Sequence, residues 1–350
     1  NNTFCMPQLR TENSFVQQVQ NTSQIFVKED EKPFRIINSY GLFKEIGHGT
    51  FGRVYLTKNV LESEYAMKIS EERMKKYTQI EFKFLKQLEP LKISPMPVEA
   101  FDCENQFCMV MQLCEQPLTE FSRSNLSMHS RKLLMYLATS YVKQLHDQKI
   151  IHTDIKMENF MLQTKNDPRS LKIIDFSSAI QLPCSKMPSK LQSRYFKSPE
   201  VLYKQPYSYK IDCWSLGCLL FEIAFSKPLF PAKTDFMLCL QQICLLGLPN
   251  QRFEPFFEQF SSMHFNFYAD NLKSFGIEKT AAMLPTAEVI RETGRDECQK
   301  RRLEQVIERL QWSTDDKQQF LEILQGLLQY DAEKRWDCAK VLRSSFFDAV

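Results

Sequence analysis

Two hydrophobic periodicities divide the chain. Up to about residue 111, apolar positions recur in short alternating runs. In "SEYAMKIS", residues 63–70, Tyr65, Met67 and Ile69 fall on one side and Ala66, Lys68 and Ser70 on the other, the period-two pattern of a half-buried strand. "RVYLTK", 53–58, and "QFCMVMQL", 106–113, predict further strands, and "TQIEFKFLKQL", 78–88, predicts one helix among them. From about residue 130 the spacing is helical over long stretches. "RKLLMYLATSYVKQLHDQ", 131–148, and "KIDCWSLGCLLFEIAF", 210–225, are the clearest. The second is apolar nearly all round, which predicts a helix running through the middle of a domain. The pattern is that of an α+β protein, with a small strand-rich part holding one main helix followed by a larger, mostly helical part.

The flanks read differently. Residues 1–33 are rich in Asn, Gln, Ser and Thr with little periodicity and are expected to be an N-terminal extension. The stretch "NNTFCMPQLRTENSF" has no basic start followed by an apolar run, so no secretory signal is expected there. A chain that does not open on Met is expected to begin inside a longer product. The mixed-charge run "RETGRDECQKRRLEQVIERL", 291–310, reads as a solvated helix face.

Composition narrows the partners. The 350 residues carry 45 basic and 42 acidic groups, a net charge of +3, without the clustered basic excess of a general nucleic-acid binder. No apolar run approaches the roughly 18 residues that would span a bilayer. Eleven cysteines with no CxxC pair suggest buried, reduced thiols rather than a disulfide framework or a zinc site, and a reducing compartment, cytosol or nucleus.

The chemistry begins at "IGHGTFGRVYL", 46–56. Gly47, Gly49 and Gly52 place three of the chain's nine glycines within six residues. Without a Cβ the backbone can approach phosphates closely. A dinucleotide fold would follow such glycines with a helix. Here "RVYLTK" follows, which is strand, and a Gly-rich hairpin covering phosphates is the other solution; a bare tight turn is the structural alternative. Lys68, on the next strand, offers a point charge to phosphate, and Glu81 on the helix is its natural partner. In "IIHTDIKMENFML", 150–162, Asp154 can accept a proton from a hydroxyl, Lys156 can neutralise transferred charge, and Asn159 offers a hard oxygen to a cation such as Mg²⁺. Asp175, ending the apolar run of "LKIIDFSS", offers a second.

Taken together, these motifs resemble the eukaryotic protein kinases from about residue 40 onward: the Gly-rich loop, the AMK lysine, the helix glutamate, HxDxKxxN and DFx occur in the family's order. "SPE", 198–200, stands where the family has APE, Arg335 matches the arginine that pairs with Glu200, and Asp212 in "DCWSLG" matches the buried aspartate beneath the catalytic loop. The resemblance lies within the CMGC group. "LHDQKIIHTDIKMENFML" is similar to the LAMMER, or Cdc2-like, kinases, and "QSRYFKSPEV" to the dual-specificity tyrosine-regulated kinases.

It implies a bilobal kinase fold, with an N-lobe over 34–112 and a C-lobe over 113–350 carrying an insert near 250–315. It implies ATP and Mg²⁺. Ile46, Gly47, His48, Gly49, Thr50, Phe51 and Gly52 would cover the nucleotide, with Lys68 at its phosphates. Adenine would lie against Val54, Ala66 and Met161, with Met111 behind it and the backbone of Gln112 and Cys114 hydrogen-bonding it. Asp154, Lys156, Lys68 and Glu81 would be catalytic, and Asn159 and Asp175 would hold the metal. The expected reaction is phosphoryl transfer to Ser/Thr of protein substrates, with Tyr autophosphorylation and Arg-Ser-rich splicing factors suggested by the subgroups. A monomer in nucleus or cytoplasm, without direct nucleic-acid or membrane contact, is expected.

Three departures bear on mechanism. Ser177 replaces the glycine of DFG, and Lys197 replaces a usual arginine, which weakens bidentate pairing. Thr153 replaces the arginine of HRD, closing one route by which a phosphate orders the activation segment. The competing reading on the same fold is a pseudokinase acting as a nucleotide-binding or scaffold protein. The presence of Lys68, Glu81, Asp154, Asn159 and Asp175 favours the enzyme.

Overall fold

The structure is a computed structural model that describes residues 32–124, 126–184, 188, 191–247, 303–348 and 350. The expected extension therefore lies almost wholly outside the described residues, as do most of the 250–315 insert and Ser185, Lys186, Ser189 and Lys190 of the activation segment. The chain divides into two compact units. One runs to Glu115 and takes in Asp175–Ser177; the other comprises Gln116–Ile174 and Ser178–Val350.

The first unit is an antiparallel sheet and a helix. Its strands are β1 (Arg35–Ile37), β2 (Tyr40–Gly49), β3 (Gly52–Lys58), β4 (Glu64–Ser70), β5 (Pro97–Cys103) and β6 (Gln106–Gln112), in the spatial order β1-β2-β3-β4-β6-β5. Alternation sorts the side chains as expected. Met67 and Ile69 join Ile37, Tyr40, Leu42, Cys108 and Val110 in one buried cluster, with Tyr65 packed against it, while Ala66 and Lys68 take the opposite face. Helix α1 (Lys75–Leu88) buries Thr78, Glu81, Phe84, Leu85 and Leu88, a stripe at helical spacing. A glutamate on that stripe needs a partner, because a buried unpaired carboxylate is costly.

The second unit is mostly helical: α2 (Met128–Asp147), α3 (Lys210–Phe225), α4 (Asp235–Leu246), α5 (Thr314–Leu327) and α6 (Cys338–Leu342). Ser127, Thr234, Ser313 and Asp337 each accept a backbone N–H at the start of the helix that follows, so side chains cap four of these five N-termini. Helix α3 is buried along almost its whole length, as its apolar composition requires. Short ribbons complete the unit: β8 (Ile150–Ile151) pairs with β11 (Ile180–Gln181), and β9 (Phe160–Leu162) lies between β7 (Gln116–Pro117) and β10 (Leu171–Ile173).

One local expectation changes. The described end of the mixed-charge run is helical over 303–307, and Leu303, Ile307 and Leu310 are buried. Residues at i, i+4 and i+7 share a face, so this segment is amphipathic rather than solvated all round. Its charges mask a short apolar stripe. Cys103, Cys108, Cys114, Cys184, Cys213, Cys218, Cys239 and Cys338 are free thiols, as expected.

Candidate active site

The glycine-rich stretch is a hairpin. Strands β2 and β3 pair with Gly49 opposite Gly52, leaving Thr50 and Phe51 at the turn. Gly52 has φ +153°, and a Cβ there would lie 2.2 Å from the Ile69 carbonyl oxygen on β4. Its glycine is thus demanded by the sheet itself. The other two are not: a methyl at Gly49 would meet nothing within 4 Å, and one at Gly47 only Val54 Cβ at 3.9 Å. Packing within the protein leaves those two backbones bare, which is the space a phosphate-covering loop needs. Ile46 and the His48 side chain are exposed on the same hairpin, and the Phe51 ring packs on Tyr77 with centroids 5.2 Å apart.

Lys68 follows from register. It sits opposite Val54 on β3 and Met109 on β6, and its Nζ lies 2.5 Å from Glu81 Oε2 and 3.9 Å from Asp175 Oδ1. Burial works against charge on both members of the pair and raises the Glu81 carboxyl above its ordinary value. For Lys68 burial is outweighed by the pull of Glu81 and Asp175, so the ammonium is held above its usual range. Ala66 pairs with Met111, and Tyr65 with Gln112. Gln112 spends its N–H on Met96 O at 2.8 Å, so its carbonyl is the backbone group it can offer a base amino group. Cys114, two residues on, is buried.

Asp175 adopts φ +64°, a left-handed conformation uncommon for a non-glycine. Both the N–H and the hydroxyl of Ser177 donate to its Oδ1. The residue in the glycine position of DFG is therefore a second tether on this carboxylate, and Oδ2 is the oxygen left for a cation. Phe176 is buried, its ring 6.4 Å from that of Phe84 on α1.

In the second unit, the loop between β8 and β9 is hung from Asp212. Its Oδ2 accepts the His152 N–H at 2.8 Å and its Oδ1 the Thr153 N–H at 2.9 Å. Thr153 has φ +70°, costly for a β-branched residue, and is over-determined by these bonds. His152 Nδ1 accepts the Asp154 N–H, which leaves Nε2 to donate to Ile174 O. Asp154 Oδ2 then meets Lys156 Nζ at 2.6 Å, and Asn159 Nδ2 donates to Asp154 O at 2.8 Å and to Oδ2 at 3.2 Å. Both Asn159 N–H bonds run to Asp154, so what Asn159 can give a ligand is its oxygen. Burial opposes ionisation of Asp154, but Lys156, the Ser193 hydroxyl and His152 together hold it below the ordinary carboxylate range. Met161 on β9 pairs with Lys172 and Pro117.

Two participants, Ser193 and Asp235, escaped the sequence reading. Ser193 bonds Asp154 Oδ1 through both its N–H (3.1 Å) and its hydroxyl (2.7 Å), and the hydroxyl accepts from Lys156 at 3.0 Å. Thr153 Oγ1 donates to Ser178, spanning 25 residues. Asp235 at the start of α4 takes both basic groups of "RYFK": Arg194 Nε at 3.2 Å and Lys197 Nζ at 2.9 Å. No local signal marks Asp235, which lies about 40 positions away. Tyr195 is exposed, while its neighbour Phe196 is buried.

The site residues fall into two sets. Ile46 to Gly52, Val54, Ala66, Lys68, Glu81, Met111, Gln112, Cys114 and Asp175 belong to the first unit; Asp154, Lys156, Asn159 and Met161 belong to the second. Within each set the residue types and local contacts are those of a protein kinase, and the Protein kinase domain family matches residues 40–347. The chain belongs to that family.

Among its relatives, the dual specificity protein kinase YAK1 homolog of Arabidopsis thaliana is 28% identical over a 348-residue alignment covering 86% of this chain and 35% of the relative. The dual specificity tyrosine-phosphorylation-regulated kinase 3 of Macaca fascicularis is 34% identical over 241 residues, covering 64% and 41%. The homeodomain-interacting protein kinase 1 of Mus musculus is 32% identical over 212 residues, covering 57% and 17%. The chain thus spans well under half the length of these relatives. All are CMGC kinases, and the names of the first two bear on the dual-specificity side of the resemblance rather than its LAMMER side. Family membership implies ATP and a divalent metal. Among the described residues no helix is long and apolar enough to cross a membrane.

Proposed function

We propose that this chain transfers the γ-phosphoryl group of ATP to Ser/Thr hydroxyls of protein substrates. The observation that carries this reading is the Asp154 cluster. A carboxylate kept ionised, aimed by Ser193 and Asn159 and contacted by an ammonium at 2.6 Å, suits taking a hydroxyl proton beside a developing charge. A structural aspartate has no use for Lys156 and Asn159 at once.

In this reading Asp154 orients the attacking hydroxyl and receives its proton, and Lys156 offsets charge at the transferred group. Lys68, held by Glu81, positions the phosphates, and ADP departs. The residues fit a divalent ion, for which we propose Mg²⁺: Asn159 and Asp175 would hold it through hard oxygens, and its charge would neutralise the phosphates. Catalysis is then positioning plus electrostatics. The LAMMER-like "IIHTDIK" stretch supports Arg-Ser-rich splicing factors as substrates and action in the nucleus or cytoplasm. Tyr autophosphorylation is supported by the dual specificity that the names of two of these relatives state. The chain is proposed to act as a monomer, without direct nucleic-acid contact.

Asp154→Asn should lower transfer to a Ser peptide by about 10²–10⁴-fold, the usual worth of a positioned general base. It should leave the nucleotide-induced rise in melting temperature in place. Undiminished turnover would overturn the role of Asp154. A wild type that shows no transfer, with a nucleotide shift indifferent to divalent metal, would favour the pseudokinase. A peptide array identifies the substrate class.

A further inference from the structure

Sequence arithmetic found no CxxC pair, yet the fold gathers two thiols and an imidazole. His146 comes from α2, Cys213 from α3 and Cys338 from the first position of α6, and their ligand atoms all lie within 4.8 Å of one another. Cys213 and Cys338 are 0% and 1% exposed, and the two thiols are hydrogen-bonded to each other.

Among the described residues, this is the one group of three or more His, Cys, Asp or Glu side chains converging at metal-ligand distances. Nitrogen and soft sulfur from three separate helices form the donor set of zinc-class ions. A carboxylate backs the imidazole as well: Asp212 Oδ2 lies 3.2 Å from His146 Nε2. Carboxylate–histidine pairs of this kind orient metal-bound imidazoles.

We propose that His146, Cys213 and Cys338 form a binding site for a single thiophilic divalent cation of the zinc class. Binding would replace the two S–H protons, which leave to solvent, with two metal–thiolate bonds and one metal–imidazole bond. Two thiolates then balance the dication, so the buried cluster keeps the net charge it has with both thiols protonated. The ion would pin α2, α3 and α6 together. Through Asp212, which also holds the His152 and Thr153 amides, it would steady the loop that carries Asp154. The site itself stands on geometry alone and does not depend on the kinase reading.

Cobalt(II) is the probe, because thiolate ligation gives it an intense charge-transfer absorption and tetrahedral geometry gives it strong visible bands. The full chain, purified reduced and freed of metal, should take up one equivalent with both signatures, and zinc should bleach them. Cys213→Val and Cys338→Ala should each abolish the charge-transfer band, while Cys103→Ser and Cys184→Ser should keep it. Should the core variants fail to fold, the wild type still decides. Zinc, but not magnesium, should slow alkylation of Cys213 and Cys338 at least about tenfold, mapped by mass spectrometry. No charge-transfer band in folded wild type would overturn the site. So would a band that survives Cys213→Val, or alkylation indifferent to zinc.

Discussion

Among the described residues each unit holds a buried pair of Lys or Arg with Glu, and the two are built differently. In the second unit Arg335 meets Glu200 through both prongs, Nη1–Oε1 at 2.6 Å and Nη2–Oε2 at 2.9 Å. Its remaining donors go to the carbonyls of Gln329, Lys210 and Tyr330, and its guanidinium lies 5.2 Å from the Trp214 ring. In the first unit Lys68 meets Glu81 through a single contact, with Asp175 a further 1.4 Å out, at 3.9 Å against 2.5 Å. The arginine is saturated by the protein. The lysine keeps a rotatable ammonium beside a second carboxylate, a charge held ready rather than consumed. A buried pair with every donor satisfied is a structural tie; one with capacity left over is placed for a ligand.

The tie should be the costlier to cut. Arg335→Ala leaves Glu200 buried without its partner and strips three carbonyls of a donor. We expect a loss of about 3–5 kcal/mol, a fall of roughly 6–20 °C in melting temperature for a unit of this size. Arg335→Lys keeps the charge and loses the fork, so it should fall between. A melting temperature within a degree of wild type for Arg335→Ala would erase the contrast.

Lys68→Met should invert the outcome. Glu81 has a carboxyl already raised by burial, so it can take up a proton and shed the orphaned charge, and the thermal cost should be the smaller of the two. The rate should fall by about 10²–10³-fold, the usual worth of one positioned electrostatic donor. Equal destabilisation by the two substitutions, or an unchanged initial rate, would show that Lys68 is a tie as well.

The same contrast explains what sequence could reveal. Helix α3 was legible end to end because residues 210–225 are apolar on every face and no other element buries such a run. Strand β4 was legible from its alternation, and Lys68 with Glu81 because strand register and a helical stripe converge on them. Glu200 and Arg335 stand 135 positions apart and were paired only through the family resemblance. Asp235, Ser193 and the His146–Cys213–Cys338 cluster were invisible for a related reason. Their partners come from other elements, and periodicity reports which face a residue occupies, not what stands opposite it. Leu303, Ile307 and Leu310 were obscured differently, by the charges between them.

Asp235 yields the third expectation. Thr153 bonds Ser178 where the family's arginine would grip a phosphate, and Arg194 and Lys197 already share the Asp235 carboxylate. The activation segment thus has its anion supplied in the chain. Phosphatase treatment, checked by mass spectrometry, should change the initial rate on a Ser peptide by less than about tenfold, or 1.4 kcal/mol on the barrier. Asp235→Asn should lower it more than phosphatase does. A larger phosphatase effect would mean that a phosphate, not Asp235, orders the segment.

The smallest effect is expected from Glu222, a third, partly buried carboxylate. It lies on α3, and its Oε2 is buried without a hydrogen-bond partner among the described residues. Burial, aided by the charge of Glu158, pushes its carboxyl up to about 7. In the unfolded chain it titrates near its ordinary value of 4.5. Between these values the folded state binds more protons than the unfolded one, so this group removes stability as pH rises across that window and adds no penalty below it. Other carboxylates titrate too, but comparing Glu222→Gln with wild type cancels them. The substitution should raise the melting temperature at pH 8, by less than Arg335→Ala lowers it, and give no such gain at pH 5. An equal gain at both pH values would mean that Glu222 does not titrate in this window. Its burial would then be relieved by packing or solvent rather than by a proton.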